Sequence, residues 1–356
     1  MAGSEAEEPT PAQAQPFIEP DNAETADEDE GIFDERVSTY TASLSSSVID
    51  YPTEHGRRYH AFRSGKYIMP NDDRELVRLD LLHVVMVRTV EDKLHHAPID
   101  PDRTHSVLDI GTGTGVWAME FGDEYPGSER ESTCPRKRLQ PHTTGMGSPN
   151  VKFEVDDVES EWTFPDPFDF IFCRYMAGSI ADWPNLVKNV HDHLNPGGWA
   201  EFQDYDMQYR TDDDSLTDEH STSKWLKVIL GAANKVGRNP SPGPKLATWA
   251  RDAGFENVTE KVFKMPIGPW PKDPYLKETG LINAAQVVDG LEGFSMRLLC
   301  GVEGWSETEV QVLLAQVRKE LKGKAFHSYV NFHVVYGQKA AAPATAPATA
   351  DEEPEA

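Results

Sequence analysis

Cysteine is scarce in this sequence, which holds only Cys134, Cys173 and Cys300 among 356 residues. Three scattered cysteines cannot build a disulfide framework or a zinc site, so we predict a reducing compartment and no metal. Long apolar runs are missing too, because none approaches the roughly 18 residues that a membrane span needs. The N-terminus is acidic, whereas a signal peptide begins basic and then becomes apolar. We therefore expect a soluble intracellular protein without a membrane partner, cytoplasmic or alternatively nuclear.

Basic residues are absent from both ends of the chain. Residues 1–35 contain twelve acids and residues 340–356 contain four, and together they carry sixteen of the 26 excess negative charges. Such segments cannot bury enough apolar surface to fold, so we predict disordered tails over 1–45 and 340–356. The mildly acidic remainder lacks the basic face that phosphates require, which argues against a nucleic-acid partner.

Between the tails, the hydrophobic pattern alternates between helix and strand. An amphipathic pattern over 72–94 predicts a helix within an N-terminal helical cap, residues 46–100, which precedes a main domain at 101–339. Strands are predicted at 106–110, 151–155, 168–174, 199–203, 257–265 and 329–337, and helices at 116–125, 184–194, 222–236, 244–253, 275–299 and 306–321. This alternation indicates an α/β domain with a doubly wound, mainly parallel sheet. About 65 residues separate the last two strands, which indicates a helical insertion between them.

A glycine loop follows the first predicted strand of this domain. The segment VLDIGTGTGVWAMEF (107–121) passes from an apolar run through three glycines into a helix. Glycine permits positive φ and close approach of a ligand, while the helix N-terminus presents free N–H groups. Ligands of open α/β sheets lie at the carboxyl ends of the strands. We therefore expect Gly111, Thr112, Gly113 and Gly115 to bind a cofactor.

Two cofactors compete for this loop. The dinucleotide fingerprint is G-x-G-x-x-G/A, but here the third glycine comes one position early and Val116 takes the sixth place. No G-K-[S/T] follows, which excludes a phosphate-binding P-loop. The pattern D-x-G-x-G-x-G from Asp109 instead resembles the first motif of S-adenosylmethionine-dependent methyltransferases, in which this acid lies close to the methionine end of the cofactor. The resemblance implies S-adenosyl-L-methionine as cofactor, with an NAD-dependent oxidoreductase as a distant alternative.

Further segments resemble the same family in the same order. FEVDDVESEW resembles the stretch in which an acid meets the adenine amino group. The resemblance implies that Asp157 and the backbone of Val158 contact the adenine, with Asp156 as the alternative acid. Two exposed acids in a turn would be consistent with the same sequence. FDFIFCRYMAGSIADW resembles the fourth strand and the loop beneath the sulfonium, and it makes Arg174 a further cofactor-binding candidate. LNPGGWAEFQDYD resembles the segment that leads into strand five. VTEKVFKM and NFHVVYGQK resemble the final strand pair, which implies a Rossmann-like sheet with an antiparallel last strand.

One subfamily is more similar still. GRRYHAFRSGKYIMPND, RLDLLH, CRYMAGSIADWP and PIGPWPKD resemble the LaeA-like fungal methyltransferases, a group also similar to trans-aconitate methyltransferases. The resemblance covers roughly residues 45–339. It implies methyl transfer to a small molecule of fungal secondary metabolism. The alternative is a LaeA-like nuclear regulator with weak or no turnover and a regulatory protein partner.

The same resemblance implies a role for aromatic residues of the cap. Tyr59, His60 and Tyr67 would close over the cofactor. The alternative is that these side chains only pack the N-terminal helix onto the sheet.

The sequence departs from the family over 130–150. The family continues there with a short apolar second strand that ends in an acid for the ribose hydroxyls, as in dinucleotide folds. This chain instead reads RESTCPRKRLQPHTTGMGSPN, which is basic, contains two prolines and lacks a strand pattern. Cys134 stands where the acid is expected, and Glu129 and Glu131 are the nearest carboxylates. We predict a lost or shortened second strand, either through a misread gene segment or through genuine divergence.

The sequence also offers candidates for a general base that would remove a proton from the methyl acceptor. Methyl transfer uses a carbon that the cofactor has already activated, so the protein must align the reactants and at most remove a proton. The weak candidates are Asp204, Asp206 and His193 near the fifth strand, and Tyr175 after the fourth. Each is also consistent with an ordinary loop residue, and the catalytic residue stays open at this point.

Overall fold

The computed structural model describes residues 15–21, 53–59, 69–127, 129–134, 150–155, 157–323 and 325–341. For 129–134 and for Val155 only the backbone is described. The predictions for His60, Tyr67 and Asp156, for most of each tail and for 135–149 lie outside these residues.

A seven-stranded sheet in the order β5-β4-β3-β6-β7-β9-β8 forms the centre of the described chain. Its strands are β3 (Ser106–Ile110), β4 (Glu129–Cys134), β5 (Val151–Val155), β6 (Phe168–Arg174), β7 (Leu194–Arg210), β8 (Glu256–Pro266) and β9 (Tyr329–Gln338). The pairs from β5 through to β7 are parallel, whereas β9 runs antiparallel to both of its neighbours. The prediction of a mainly parallel sheet with an antiparallel last strand is confirmed. A separate hairpin pairs β1 (Thr53–Glu54) with β2 (Arg57–Arg58).

Seven helices are described between and beside these strands. They are α1 (Asp73–Thr89), α2 (Val116–Glu124), α3 (Trp183–Asp192), α4 (Ser221–Lys235), α5 (Gly243–Asp252), α6 (Pro274–Gly301) and α7 (Glu307–Lys322). Local caps explain several starts: Asp72 accepts the N–H of Glu75 at α1, and Asp182 accepts that of Asn185 at α3. Such caps satisfy backbone donors that a helix cannot pair internally.

The second strand is the main correction to the sequence interpretation. The backbone of 129–134 forms β4, which pairs in parallel with β3 on one side and β5 on the other. The segment carries no apolar strand pattern, so pairing on both sides overrides its weak local preference. The prediction of a lost or shortened second strand is therefore wrong.

The predicted N-terminal tail also needs correction, at residues 15–21. Ile18 is 8% exposed and packs with Trp270 and Tyr329. The backbone N–H of Asp21 donates to the carbonyl of Trp270 over 2.7 Å, and the Lys272 N–H donates to the carbonyl of Glu19 over 2.8 Å. The sequence did not predict this docking because two adjacent apolar residues in an acidic stretch give no periodicity.

The apolar core lies in three main clusters. Two clusters are built on β3, β6 and β7. One of them packs against α3 and α5, and the other packs against α2. The third joins α1, α4, α6 and α7 to the distal parts of β7, β8 and β9. The helical insertion between β8 and β9 thereby forms a further layer beyond the carboxyl ends of the parallel strands.

Candidate functional site

The glycine loop lies at the carboxyl end of β3, and all three of its glycines have positive φ. The values are +78° at Gly111, +59° at Gly113 and +86° at Gly115, a region that L side chains rarely adopt. A Cβ on Gly111 would overlap the sulfur of Met176, and one on Gly115 would lie 2.9 Å from the ring of Phe153. A Cβ on Gly113 would meet no atom closer than 3.8 Å. The protein therefore fills the space beside two glycines, whereas beside the middle one a Cβ would find room at ordinary van der Waals distance from its neighbours.

Asp109 stands at the base of this loop and is 5% exposed. The hydroxyl of Thr112 donates to Asp109 Oδ2 over 2.6 Å. The loop is therefore held to a buried carboxylate at the end of β3. A buried charge needs such partners because its desolvation is costly.

Helix α1 lies directly against the loop. Leu79 is the nearest side chain to the Cβ position of Gly113, at 3.9 Å. Burial raises the pKa of Asp80, and a hydrogen bond from Thr114 of the loop opposes this shift. Consecutive residues of α1 thus contact the loop through one apolar and one polar side chain.

His83 joins α1 to two other elements. Arg174 Nη2 donates to His83 Nδ1 over 2.7 Å, and His83 Nε2 contacts Glu120 Oε2 at 2.8 Å. Because a guanidinium only donates, Nδ1 must be unprotonated, so the neutral ring carries its proton on Nε2. Burial lowers the pKa of His83, which agrees with a neutral ring. No local pattern predicts this bridge, although His83 is the last residue of the RLDLLH segment.

Arg174 ends β6, and burial lowers its pKa to about 10 while the charge of Asp109 opposes the shift. Its Nη1 is shielded from solvent and has no hydrogen-bond partner among the described residues. The same holds for Asp80 Oδ1 and for Gln203 Oε1, and Gln203 is the register partner of Arg174 on β7. One orphaned donor and two orphaned acceptors fit a ligand that carries both a carboxylate and an ammonium group.

The candidates after β5 lie in a turn. Asp157 Oδ1 accepts the N–H of Glu159 over 3.1 Å, and the Asp157 carbonyl accepts that of Ser160 over 2.8 Å. Val158 is buried, and its carbonyl accepts the indole N–H of Trp162 over 3.0 Å. The turn fixes the backbone at both positions, and the adenine contact stays a prediction.

Tyr59 lies away from the glycine loop, against α6. It is fully buried, and the guanidinium carbon of Arg297 lies 3.6 Å from its ring centroid. Its hydroxyl has no partner among the described residues. Tyr59 thus packs against α6 and not against the sheet, and its role over the cofactor stays a prediction.

The candidate bases separate into two groups. Tyr175 has φ +56° and follows β6, and Asp204 Oδ2 accepts the N–H of Met176 in the same loop over 2.8 Å. Burial raises the pKa of Asp204 to about 7, and backbone N–H groups including that of Tyr205 oppose the shift. Asp204 therefore fixes the loop after β6 and has its oxygens engaged.

The other two candidates lie elsewhere. Asp206 lies two residues beyond Asp204 on β7 and accepts a hydrogen bond from Nη2 of Arg210 over 2.6 Å. The carbonyl of His193 accepts the N–H of Phe168, the first residue of β6, over 2.8 Å. His193 is therefore at the opposite end of β6 from Arg174, and the structure does not bring it to the glycine loop.

The doubly wound sheet and the D-x-G-x-G-x-G loop at its carboxyl edge define the class of S-adenosylmethionine-dependent methyltransferases. The sequence matches the family described as "Methyltransferase domain" over residues 83–260. It is also 42% identical over 297 residues to "Methyltransferase pytC" of Aspergillus terreus, covering 83% of this chain and 90% of that protein. The chain belongs to this methyltransferase family.

The chain is also similar to a second fungal protein in sequence and to a solved methyltransferase structure in fold. The chain is 33% identical over 287 residues to "Secondary metabolism regulator LAE1" of Cochliobolus heterostrophus, covering 79% of this chain and 92% of that protein. The structure of Haemonchus contortus phosphoethanolamine N-methyltransferase 2 with S-adenosyl-L-methionine is 17% identical, with a TM-score of 0.43, over 79% of this chain and 56% of that one.

Two further structural findings concern membranes and metals. In the portion of the chain that the structure covers, no helix combines the length and apolar character needed to cross a membrane. The same portion contains no group of three or more His, Cys, Asp or Glu side chains placed to hold a metal ion.

Proposed function

We propose that this protein transfers a methyl group from S-adenosylmethionine to a small molecule of fungal secondary metabolism. The observation that carries the proposal is the orphaned Nη1 of Arg174, close enough to Asp109 of the glycine loop to feel its charge, together with the room for a Cβ beside Gly113. The bound cofactor supplies a methyl group already activated by its sulfonium.

In this proposal, the chain's own residues hold and orient the cofactor. Arg174 would bind its carboxylate through the free Nη1 donor, and the acceptor oxygens of Asp80 and Gln203 would face its ammonium group. Gly111, Thr112, Gly113 and Gly115 would cradle it, with Asp109 beneath the loop. Asp157 and Val158 remain the proposed adenine contacts.

The cap that we propose for 46–100 acts through α1. Leu79, Asp80 and His83 lie against the loop and Arg174, so α1 would exclude water from the methionine end of the site. We assign no general base, because the oxygens of Asp204 are engaged by backbone N–H groups and His193 lies at the far end of β6. Tyr175, which follows β6, stays a weak candidate base.

A LaeA-like regulator is the second candidate, favoured by the 33% identity to the Cochliobolus heterostrophus regulator. That hypothesis includes a regulatory protein partner and a nuclear location, whereas the enzyme hypothesis is compatible with the cytoplasm. Neither includes a nucleic-acid partner. Incubation with methyl-labelled S-adenosylmethionine and a fungal metabolite extract separates them, because only an enzyme transfers label to an extractable product.

Cofactor binding is tested by calorimetry with S-adenosylhomocysteine, S-adenosylmethionine, NAD and NADP. We expect the sulfur nucleosides to bind and the nicotinamides not to bind. Gly113→Val should abolish binding because the branched side chain occupies the room beside Gly113.

Gly304→Val is the matched control for this substitution. Gly304 has φ +75° and no atom within 4 Å of its Cβ position, so it carries similar backbone strain away from the loop. Binding of NAD or NADP without binding of S-adenosylmethionine would contradict the proposal. Equal losses of affinity in Gly113→Val and Gly304→Val would also contradict it.

A further inference from the structure

A cavity of about 100 Å³ lies beyond the loop that follows β6. Tyr175, Ala177 and Gly178 of this loop line it, together with residues of β7, α4 and α6. The intervening residue, Met176, lies against Gly111. One short loop therefore has the glycine loop on one side and the cavity on the other.

The cavity walls are aromatic and aliphatic. Among the described residues that line it none carries a charge, and Tyr205, Trp225, Val287, Phe294 and Leu298 form much of the surface. A charged ligand group would lose its hydration there without gaining a counter-charge, which is costly. The walls therefore favour an uncharged apolar group.

Two buried amides in the lining are already engaged. Arg78 Nη1 donates to Gln286 Oε1 over 2.8 Å, Gln286 Nε2 donates to Asn283 Oδ1 over 2.8 Å, and Asn283 Nδ2 donates to the carbonyl of Pro266 over 2.7 Å. Both amide oxygens thus have donors from the protein itself. Each amide nitrogen keeps a second N–H, so the cavity tolerates a carbonyl or ether oxygen but does not need one.

The size of the cavity limits what it can take. Its volume is of the same order as the roughly 150 Å³ apolar cavity that binds benzene in another protein, and below the roughly 300 Å³ of drug-sized sites. It therefore accommodates one ring or a short branched chain, not a whole drug-sized molecule.

We propose that this cavity is the acceptor subsite, and that it binds an uncharged, apolar end group of about one ring in size. This inference rests on the proposed function, because it identifies the cavity with the methyl acceptor. It defines the substrate class as small molecules that carry an aromatic or branched aliphatic end beside the methylated atom.

The test uses toluene, benzoate and benzylammonium as probes of similar shape and different charge. Binding to the full chain is measured by ligand-observed NMR, with and without S-adenosylhomocysteine. We expect toluene to bind, and the two charged probes to bind at least ten-fold more weakly. Ala233→Leu fills the cavity from α4 and should remove toluene binding.

Gly231→Leu is the matched control on the same helix, because a Cβ there meets no atom within 4 Å and the residue does not line the cavity. It should leave toluene binding unchanged. Val287→Ala enlarges the cavity and should increase naphthalene affinity at least three-fold, which tests the site even if Ala233→Leu fails to fold.

The outcomes are separable from those of the cofactor experiment. Toluene binding that survives Ala233→Leu, or charged probes that bind as well as toluene, would overturn the subsite. Failure of the unmodified protein to bind S-adenosylhomocysteine would overturn the proposed function. The toluene measurement would still show whether the cavity binds an apolar ring.

Discussion

At the scale of single residues, His83 connects three parts of the site. It accepts from Arg174 on β6, contacts Glu120 on α2 and belongs to α1. It touches no proposed reacting atom, so its role would be to position the guanidinium of Arg174. A neutral ring is required, because a protonated Nδ1 cannot accept a hydrogen bond.

We predict that His83→Leu weakens S-adenosylhomocysteine binding by one to two decades, while His83→Asn, which keeps an acceptor, recovers part of the loss. The magnitude follows from about 1.5–3 kcal/mol for a hydrogen bond to a charged group and about 1.4 kcal/mol per decade. Calorimetry measures the affinities, and thermal unfolding checks that both variants fold. Equal affinity in the two variants would show that His83 only packs.

The residues of the site differ in how far sequence could predict them. Asp109 and the three glycines lie within seven residues, so a local motif identifies them. The contact between His83 and Arg174 spans 91 residues, and that between His83 and Glu120 spans 37. Both depend on how α1 docks, which no local pattern encodes.

At the scale of elements, β4 shows how pairing outweighs local preference. It lies between β3 and β5, so its backbone groups are engaged on both sides. Strands β3 and β6 were predictable because buried parallel strands are nearly continuous apolar runs, as in SVLDI and FDFIFCR, whereas ERESTC is not.

We predict that Ser132→Pro in the middle of β4 destabilises the protein by at least about 1–3 kcal/mol, the cost of leaving a buried ladder acceptor unsatisfied. Proline removes a ladder donor and is excluded from central strands. Ser132→Ala keeps the N–H and should unfold close to the unmodified protein in urea. Equal stability of the two variants would mean that β4 contributes no ladder to the sheet in solution.

The docked segment 15–21 supplies a second prediction at this scale. Ile18 is 8% exposed and Phe17, its neighbour, is 62% exposed. Ile18→Asp should destabilise the protein by about 1.5–3 kcal/mol, the value of burying such a side chain, whereas Phe17→Asp should be nearly neutral. Urea unfolding compares the pair, and matching losses would contradict the docking.

At the scale of the whole molecule, buried acids make stability depend on pH. Glu201 is fully buried, and burial raises its pKa to about 7 although it accepts the N–H groups of His96 and Ala97 over 2.7 and 2.6 Å. Between about pH 4.5 and pH 7, the folded state therefore keeps the proton on Glu201, whereas the unfolded chain has released it. This contribution is complete below about pH 4.5 and is lost as the pH rises through about 7.

We predict that the free energy of unfolding of the unmodified protein falls relative to that of Glu201→Gln as pH rises from about 4.5 to 7, by up to about 1.4 kcal/mol per pH unit, and that the gap then levels off. Urea unfolding across this range measures it. Glu124→Gln, an exposed acid on α2, controls for the loss of a charge. A difference that does not vary with pH would contradict the raised pKa.

The helices α6 and α7 join two strands, β8 and β9, that are hydrogen-bonded neighbours in the sheet. The pairing of β8 with β9 therefore tolerates a long connection, since the entropy of closing a connection rises only slowly with its length. Asn283, Val287, Phe294 and Leu298 of the acceptor cavity come from this connection, whereas the glycine loop comes from β3 and α2. Under the proposal that this cavity is the acceptor subsite, substitutions in the connection would change which molecule is methylated, while the glycine loop would stay as it is. Donor recognition and acceptor choice would then be encoded in different stretches of the chain and could change independently over evolution.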